Sequence, residues 1–333
     1  MIKRLLLLAA LLTLILPAQA QSRRRAFDPG HQPVSACPPA LLVSNAFAFD
    51  VDLDGGYVYF SDDSGGIYRF LKGTENLENV AFLPELPVLF VFDSTYLYVL
   101  TIDFSGETGS VWKIAKDGST GSLLVNGILT PFDLSIDATS VYWVSLGTPN
   151  GDSFLADGKV QSIGKDGTGG KTLASNLNTP AAVISDGTNV YFTEAGQSPA
   201  STSAGLRSVP VGGGTVRKLT DNRPAVVVAN AGTDLIYSTL DTESTGTLQR
   251  IPKSGGNSTT LTNTDFVVKV VIDGNQLYYF DSGTTADVIR KVPMTGGTPS
   301  VVVDSAFNTQ EFALDDCSIY WVDGDGNLQR SPK

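Results

Sequence analysis

The sequence is poor in the residues that most often carry out chemistry. Its 333 residues include two cysteines, two methionines and a single histidine, His31. One histidine excludes most His-based catalytic triads and any His-rich metal site. No nucleophile elbow, zinc-protease helix motif or phosphate-binding loop is present either. His31 lies in a polar segment outside any predicted core, so we assign it no catalytic role.

The sequence is also poor in charge, and its charge is acidic. Charged residues make up 17%, and 34 acids against 23 bases give a net charge of −11 at pH 7. Binding nucleic acid requires a clustered basic face, so a nucleic-acid partner is not expected. The hydrophobic fraction of 42% is enough for a large core and excludes a disordered chain.

The N-terminus has the three-part pattern of an export signal. Two basic residues precede an apolar run over residues 5–16, and a small-residue cleavage pattern ends at Ala20. The run is too short to span a bilayer comfortably. We therefore predict a signal peptide over residues 1–20, a polar leader over residues 21–37, and an exported protein, periplasmic or secreted, with no membrane span after cleavage.

One short pattern recurs seven times along the rest of the chain. It is an aliphatic residue followed by a tyrosine and usually another large apolar residue, and the repeats are spaced about 43 residues apart. Each unit reads as four short strands separated by turns rich in Gly, Asp and Asn. This period predicts an all-β, seven-bladed β-propeller of four-stranded blades over residues 38–333. The tyrosines are Tyr59, Tyr98, Tyr142, Tyr191, Tyr237, Tyr278 and Tyr320.

The seventh unit lacks a fourth strand, which we name strand d when strands are lettered a to d from the channel outward. Residues 41–45 resemble the strand d of the second unit and precede the first strand a. The N-terminal strand is therefore predicted to complete the last blade. Cys37 and Cys317 would then lie on one face of that blade, and we predict a disulfide between them in an oxidising compartment. The alternative is two unpaired buried thiols.

The repeat resembles those of known propellers. Tyr142-Trp143-Val144, Tyr320-Trp321-Val322-Asp323 and Asp186-Gly187 carry the likeness. The unit resembles secreted bacterial propellers of uncharacterised role, the Tyr-Trp-Thr-Asp repeats of lipoprotein receptors, and NHL repeats. The receptor propellers have six blades, so their binding sites do not transfer to seven. A likeness to the seven-bladed virginiamycin B lyases would imply catalytic histidine that this chain lacks.

An aspartate recurs in the predicted a–b turns. Asp50, Asp52 and Asp54 also match the start of a calcium loop, but position twelve is Ser61 where an EF-hand has glutamate. Recurrence favours a turn-forming role, with a Ca²⁺ loop as the alternative. The recurring residues are Asp54, Asp93, Asp137, Asp186, Asp273 and Asp315.

The blades differ four residues before that aspartate, near the start of strand a. Strand a lines the channel, so Lys269, Glu311 and Asp50 from blades six, seven and one are predicted to converge, with Asp133 across the channel mouth. Carboxylates there could bind a ligand, or Asp50, Asp133 and Glu311 could hold a divalent cation such as Ca²⁺. The alternative is a ring of paired charges. The residues in blade order are Asp50, Leu89, Asp133, Ala182, Val226 or a neighbour, Lys269 and Glu311.

The loops between strands b and c open on the same face as this mouth. The longest spans residues 145–158 in blade three, and the next spans residues 194–205 in blade four and begins at Glu194. We predict ligand contacts from Glu194 and from Phe154, which with Leu155 is apolar in a polar loop. The alternative for Phe154 and Leu155 is a small satellite core.

Together these features favour an exported binding or scaffold module over an enzyme. The expected ligand is a protein, peptide or glycan bound on the face of the b–c loops and d–a connections, and the chain is expected to be a monomer without a cofactor. One alternative is a metal-dependent hydrolase or lactonase using the mouth carboxylates. Another is an architectural subunit of an envelope complex.

Overall fold

The fold is a ring of seven antiparallel sheets. The computed structural model describes residues 38–333 except 75, 197–202, 221–222, 243, 284–286, 305–310 and 324. Within these ranges the regular structure is entirely strand, and seven four-stranded sheets follow one another along the chain. The predicted seven-bladed propeller is confirmed. The predicted signal peptide and leader lie outside the described residues, and the described part has no helix able to cross a membrane.

The strands of each blade run in order from strand a at the channel to strand d at the rim. Blade one contains β2 (Val51–Asp54), β3 (Tyr57–Ser61), β4 (Gly66–Leu71) and β5 (Leu77–Phe82). Blade two contains β6 (Leu86–Phe92), β7 (Tyr96–Ile102), β8 (Thr108–Ala115) and β9 (Gly121–Leu129). Blade three contains β10 (Pro131–Ile136), β11 (Ser140–Ser145), β14 (Gly158–Gly164) and β15 (Lys171–Leu177), with a hairpin of β12 (Pro149–Asn150) and β13 (Ser153–Phe154) in its b–c loop.

Blade four contains β16 (Pro180–Ser185), β17 (Asn189–Glu194), β18 (Gly205–Pro210) and β19 (Arg217–Lys218). Blade five contains β20 (Ala225–Ala231), β21 (Asp234–Leu240), β22 (Gly246–Pro252) and β23 (Thr259–Thr264). Blade six contains β24 (Phe266–Asp273), β25 (Gln276–Ser282), β26 (Asp287–Pro293) and β27 (Ser300–Val303). Blade seven contains β28 (Phe312–Leu314), β29 (Ser318–Val322), β30 (Leu328–Pro332) and β1 (Ala40–Val43).

The N-terminal strand closes the ring as predicted. β1 pairs antiparallel with β30, with Ala40 opposite Arg330, so blade seven joins both ends of the described chain. The strand ends earlier than predicted because Asn45 turns with φ 52° and its N–H donates to Asn327 Oδ1 at 3.0 Å. Cys317 lies in the a–b turn of this blade, whereas Cys37 lies outside the described residues, so the disulfide stays a prediction.

The core lies between adjacent blades. The seven repeated tyrosines are at most 4% exposed, and each belongs to strand b. One cluster joins Tyr59 and Ile67 of blade one to Phe90 and Leu97 of blade two. Strand b is covered on both faces by neighbouring blades, which explains its nearly continuous apolar sequence.

The turn aspartates bind the turns that contain them. Asp93 Oδ1 accepts hydrogen bonds from the N–H groups of Thr95 (2.9 Å) and Tyr96 (2.8 Å), and Oδ2 accepts one from the Tyr98 hydroxyl (2.9 Å). The predicted turn-forming role is therefore confirmed at four of the six positions, and at Asp54 and Asp273 it stays a prediction. The same contacts recur at Asp137, Asp186 and Asp315.

A lysine after strand c joins this turn to the next blade, and we name each such contact a blade latch. Lys165 Nζ of blade three lies 3.0 Å from Asp93 Oδ2 of blade two, and Lys253 Nζ of blade five lies 3.0 Å from Asp186 Oδ2 of blade four. Val211 and Met294 hold the lysine position at the two junctions without a latch. The other latches are Lys72–Asp315, Lys116–Asp54 and Lys333–Asp273.

Candidate functional site at the channel mouth

A β-bulge near the start of strand a sets the geometry of the mouth. In blades two, three, four and six one extra residue separates a proline or valine from the residue that faces the mouth. In blade three, Pro131 pairs with Ser145 while Asp133 pairs with Val144. The bulge of blade five comprises Val226 and Val227, which agrees with the predicted valine. The predicted positions therefore share one level of the ring.

Two of the predicted aspartates bind the inner strand of the next blade. Asp50 is 2% exposed, and its Oδ2 accepts a hydrogen bond from Phe90 N at 2.7 Å. Asp133 Oδ2 accepts one from Val183 N at 2.7 Å, and its Oδ1 accepts one from Leu134 N at 2.9 Å. Strand a is the open edge of its sheet, so these carboxylates satisfy N–H groups that lack a strand partner.

The other two predicted residues form an ion pair between blades six and seven. Lys269 Nζ donates to Glu311 Oε2, and the two side chains are 32% and 17% exposed. Asp50 and Asp52 lie close enough to Lys269 for their charges to raise its pKa. Lys269, Glu311 and Asp50 therefore converge from blades six, seven and one, as predicted, and Asp52 joins them from one pleat further along β2.

Burial and neighbouring charges together set the pKa values of this cluster. It raises the pKa of Asp133 to about 6, against the opposing hydrogen bonds from Val183 and Leu134. Burial and the nearby Glu311 carboxylate raise the pKa of Asp50 well above its ordinary value, against the opposing charge of Lys269. Burial alone would lower the pKa of Lys269, but the surrounding carboxylates outweigh it and raise that pKa. The ammonium is therefore held charged among the carboxylates.

The carboxylates do not form a metal-binding cluster within the described part of the chain. No three His, Cys, Asp or Glu side chains there come together closely enough to hold an ion. Lys269 supplies the positive charge that a cation would bring, and Asp50 and Asp133 direct their oxygens at backbone N–H groups. Metal ligation by Asp50, Asp133 and Glu311 stays a hypothesis.

Glu194 ends strand b of blade four and is buried in an ion pair. Its Oε2 lies 2.5 Å from Arg207 Nε, and its Oε1 accepts a hydrogen bond from Asn178 N at 3.2 Å. Burial raises the pKa of Glu194, against the opposing charge of Arg207. Asp281 of blade six has a matching arrangement with Arg290 and Asp265 N. The recurrence shows that Glu194 helps to build its blade.

Phe154 of the long blade-three loop is buried in a small satellite core, which was the alternative to ligand contact. Its side chain is 2% exposed, because the β12–β13 hairpin folds it inward. Thr148 anchors the loop through its N–H and hydroxyl, which donate to Asp157 at 2.7 and 2.6 Å. Leu155, at 45% exposure, is the apolar side chain that this loop offers to a partner, so Phe154 does not have the surface position expected for ligand contact.

Sequence reasoning missed two groups of residues. Asp52 was considered only as part of a calcium loop, although strand periodicity places it on the same side of β2 as Asp50. The latch lysines were overlooked because each follows a strand in a variable turn. A signal existed, since a lysine follows the end of strand c in five of the seven units: Lys72, Lys116, Lys165, Lys253 and Lys333.

Comparisons with known proteins show the fold and no family. No protein-family model matches the chain, and no curated protein does. Among solved structures, an oligogalacturonate lyase in complex with manganese matches with a TM-score of 0.69 at 12% identity, over 92% of this chain and 96% of that chain. An oligogalacturonate lyase from Vibrio parahaemolyticus gives 0.65 at 9%, over 90% and 92%.

A designed protein is similar to a comparable degree. The computationally designed Ika8 protein matches with a TM-score of 0.59 at 14% identity, over 88% of this chain and 99% of that chain. At such identities the likeness shows only that the fold is shared. The resemblance to Tyr-Trp-Thr-Asp and NHL repeats stays an interpretation of the repeat motif.

Proposed function

We propose that the protein is an exported binding module that recognises a protein, peptide or glycan on the face of the b–c loops and d–a connections. One observation carries this proposal: the two faces of the ring are built differently. On the a–b/c–d face, five lysines are each paired with an aspartate in a blade latch. The opposite face presents the channel mouth and the longest loop. A rigid ring with variable loops at one end is suited to recognition.

The mouth supports binding better than it supports catalysis. Its charged groups are held by one another or by backbone N–H groups, as at Asp50 and Asp133. A ligand could bind Lys269, Glu311 and Asp52, whose side chains are partly exposed. Among the described residues, the mouth has neither a histidine nor a metal-binding cluster.

Binding can be tested with purified protein on a peptide library and a glycan array, followed by hydrogen exchange with the best ligand. We expect slower exchange in residues 145–158 and at the start of strand a in blades one, three and six. Lys269→Met is expected to weaken binding, whereas Lys253→Met, which breaks a latch on the other face, is expected to leave it unchanged. No ligand from either collection, or protection confined to the latch face, would favour the architectural alternative.

The metal-dependent alternative is tested by thermal unfolding of chelator-treated protein with Ca²⁺, Mg²⁺, Mn²⁺ or Zn²⁺. An ion that binds only the folded state stabilises it by about 2.7 kcal/mol at a hundredfold its dissociation constant. We expect no increase in Tm for the wild type, because the Lys269 ammonium already lies among the carboxylates and repels a cation. A shift with one metal that Asp50→Asn and Glu311→Gln both abolish would instead support a hydrolase or lactonase.

A further inference from the structure

Five large apolar side chains lie exposed in one arc of the binding face. Each belongs to a b–c loop, to the end of a strand d or to a d–a connection, and antiparallel topology places all three on this face. Single exposed apolar residues are common on protein surfaces, whereas several on one side of the same face favour an interaction site. These residues, which we name the apolar arc, run from the junction of blades seven and one to blade three: Phe47 (52% exposed), Phe82 (66%), Phe104 (68%), Leu129 (39%) and Leu155 (45%).

The fold does not require a phenylalanine at Phe104. The Asp103 carboxylate forms the loop by accepting hydrogen bonds from Ser105 N (3.1 Å), Glu107 N (3.2 Å) and the Thr108 hydroxyl (2.6 Å). Blade one builds the same kind of loop from Asp62, which accepts hydrogen bonds from Ser64 N and Gly66 N. The residue after that aspartate is Asp63 rather than phenylalanine. The exposed ring of Phe104 is therefore not needed to make the loop.

Phe47 is held at the surface by a constrained backbone. Its φ is 43°, a left-handed conformation that phenylalanine rarely adopts. Phe47 N donates to Gly326 O at 2.8 Å, and the ring lies so close to Gly326 that a Cβ on that glycine would meet it at 2.8 Å. Strain of this kind at an exposed aromatic residue is consistent with a functional position.

The loops that carry or flank the arc contain acidic residues and no basic ones. Their sequences include ten Asp or Glu and no Lys, Arg or His, whereas the opposite face carries the latch lysines. The nearest base along the chain is Lys159, just after the blade-three loop. The loops are residues 44–50, 62–66, 83–85, 103–107, 146–157 and 323–327.

We propose that the apolar arc binds a segment of a partner protein that combines basic and apolar side chains. This inference rests on the proposed function and assigns it a partner chemistry. Exposed aromatic rings supply the anchors of such an interface, while surrounding acids attract basic residues and repel acidic glycans or anionic lipid. The arc extends over blades seven, one, two and three, away from the blade-four loop expected from sequence.

The test uses fluorescence anisotropy with three peptides of equal length. The first alternates lysine with leucine and phenylalanine, the second replaces lysine with glutamate, and the third replaces the apolar residues with serine. We expect the first peptide to bind, the other two to bind at least about tenfold more weakly, and added salt to weaken binding. Phe104→Asn and Phe82→Ser are each expected to reduce affinity about tenfold.

Leu77→Ser is the matched control. Leu77 begins the strand that Phe82 ends, is 49% exposed, and lies toward the latch face. We expect it to leave binding unchanged, with circular dichroism confirming that all variants fold. Equal binding of the three peptides, or affinity insensitive to Phe104→Asn and Phe82→Ser, would overturn the inference.

Two further outcomes separate this inference from the proposed function. A peptide of residues 21–36, which contains three arginines, is tested in parallel; if it alone binds the arc, the occupant is the chain's own leader and a separate partner is excluded. If no peptide binds while a library or array ligand still depends on Lys269, the arc inference fails and the proposed function stands. Failure of both assays overturns both.

Discussion

At the scale of single residues, the charged groups at the mouth are bound by backbone N–H groups or by oppositely charged side chains. Asp50 and Asp133 each bind an N–H of the neighbouring inner strand, and Lys269 binds Glu311. Burial of these groups in the ring makes their protonation sensitive to the fold. Titration of the mouth carboxylates should therefore make the stability of the protein depend on pH.

The pKa of Asp133 gives the direction of that dependence. Its folded value of about 6 lies above the ordinary value of 3.8, so the native state binds the proton more tightly. Stability from this group should rise as pH falls from about 6 to 4, by up to about 3 kcal/mol, and should be absent above pH 6. Asp133→Asn is expected to flatten this part of the profile, measured by urea unfolding at several pH values.

The slope should not vanish in that variant, because burial also raises the pKa of Asp281 to about 6. Below pH 4 stability should fall because the turn aspartates become protonated. Hydrogen bonds to the Asp186 carboxylate, for example, lower its pKa to about 2, and these bonds weaken when the carboxylate is protonated. A wild-type profile that is flat between pH 4 and 6 would contradict the assignment.

At the scale of elements, each turn and loop has a distinct local cause. The a–b turn is formed by its aspartate, and the latch lysine then ties that turn to the next blade. Val211 and Met294 interrupt this series, and each packs against an apolar cluster instead. The blade-three loop is a hairpin anchored by Asp157. These differences predict which substitutions affect stability and which affect only the surface.

A latch can be removed and another can be built. Lys165→Met breaks the contact with Asp93. The Lys165 side chain is 14% exposed and that of Asp93 is 25% exposed, so the loss should lower the free energy of unfolding by about 1 kcal/mol. Val211→Lys places an ammonium beside Asp137 and should recover a similar amount at the junction of blades three and four. Urea unfolding measures both, with Lys171→Met at an exposed strand position as the control expected to change nothing.

The blade-three hairpin separates packing from recognition. Phe154→Ala should destabilise the loop by about 3 kcal/mol, because it removes a fully buried ring. Leu155→Ser should change stability by less than about 0.5 kcal/mol, since this side chain is largely exposed. Hydrogen exchange in residues 145–158 measures local stability, and equal effects of the two substitutions would refute the difference in burial.

At the scale of the whole molecule, closure of the ring depends on the N-terminal strand. β1 completes blade seven, and the C-terminal residue Lys333 latches blade seven to Asp273 of blade six. The two ends of the propeller therefore meet in one blade. Anything that strengthens this junction should stabilise the entire ring.

The predicted Cys37–Cys317 disulfide is such a reinforcement. This disulfide would close a loop of about 280 residues, which should stabilise the protein by about 5 kcal/mol in the chain-entropy model. Reduction, or the Cys37→Ser and Cys317→Ser double variant, should lower Tm to the same value. If reductant leaves the wild-type Tm unchanged and both thiols react with a thiol reagent, the cysteines are unpaired.

The sequence by itself determined the number of blades, the strand order and the closing strand. These follow from the spacing of the tyrosines, the alternation of strands with Gly/Asp turns, and the short last unit. Each is a local pattern that can be recognised because it repeats along the chain. The recurring aspartates were also interpretable, because Asp93 and its equivalents bind residues two and three positions away. Local hydrogen bonds of this kind can be predicted from spacing.

Only the tertiary structure decided what the side chains contact across blades. Lys165 reaches an aspartate 72 residues away, Asp50 binds an N–H 40 residues away, and Phe154 and Leu155 differ in burial although they are adjacent. The apolar arc is likewise assembled from loops of separate blades. Periodicity sets which face of a strand a residue occupies, whereas long-range contacts depend on bulges, loop paths and the rotation from one blade to the next.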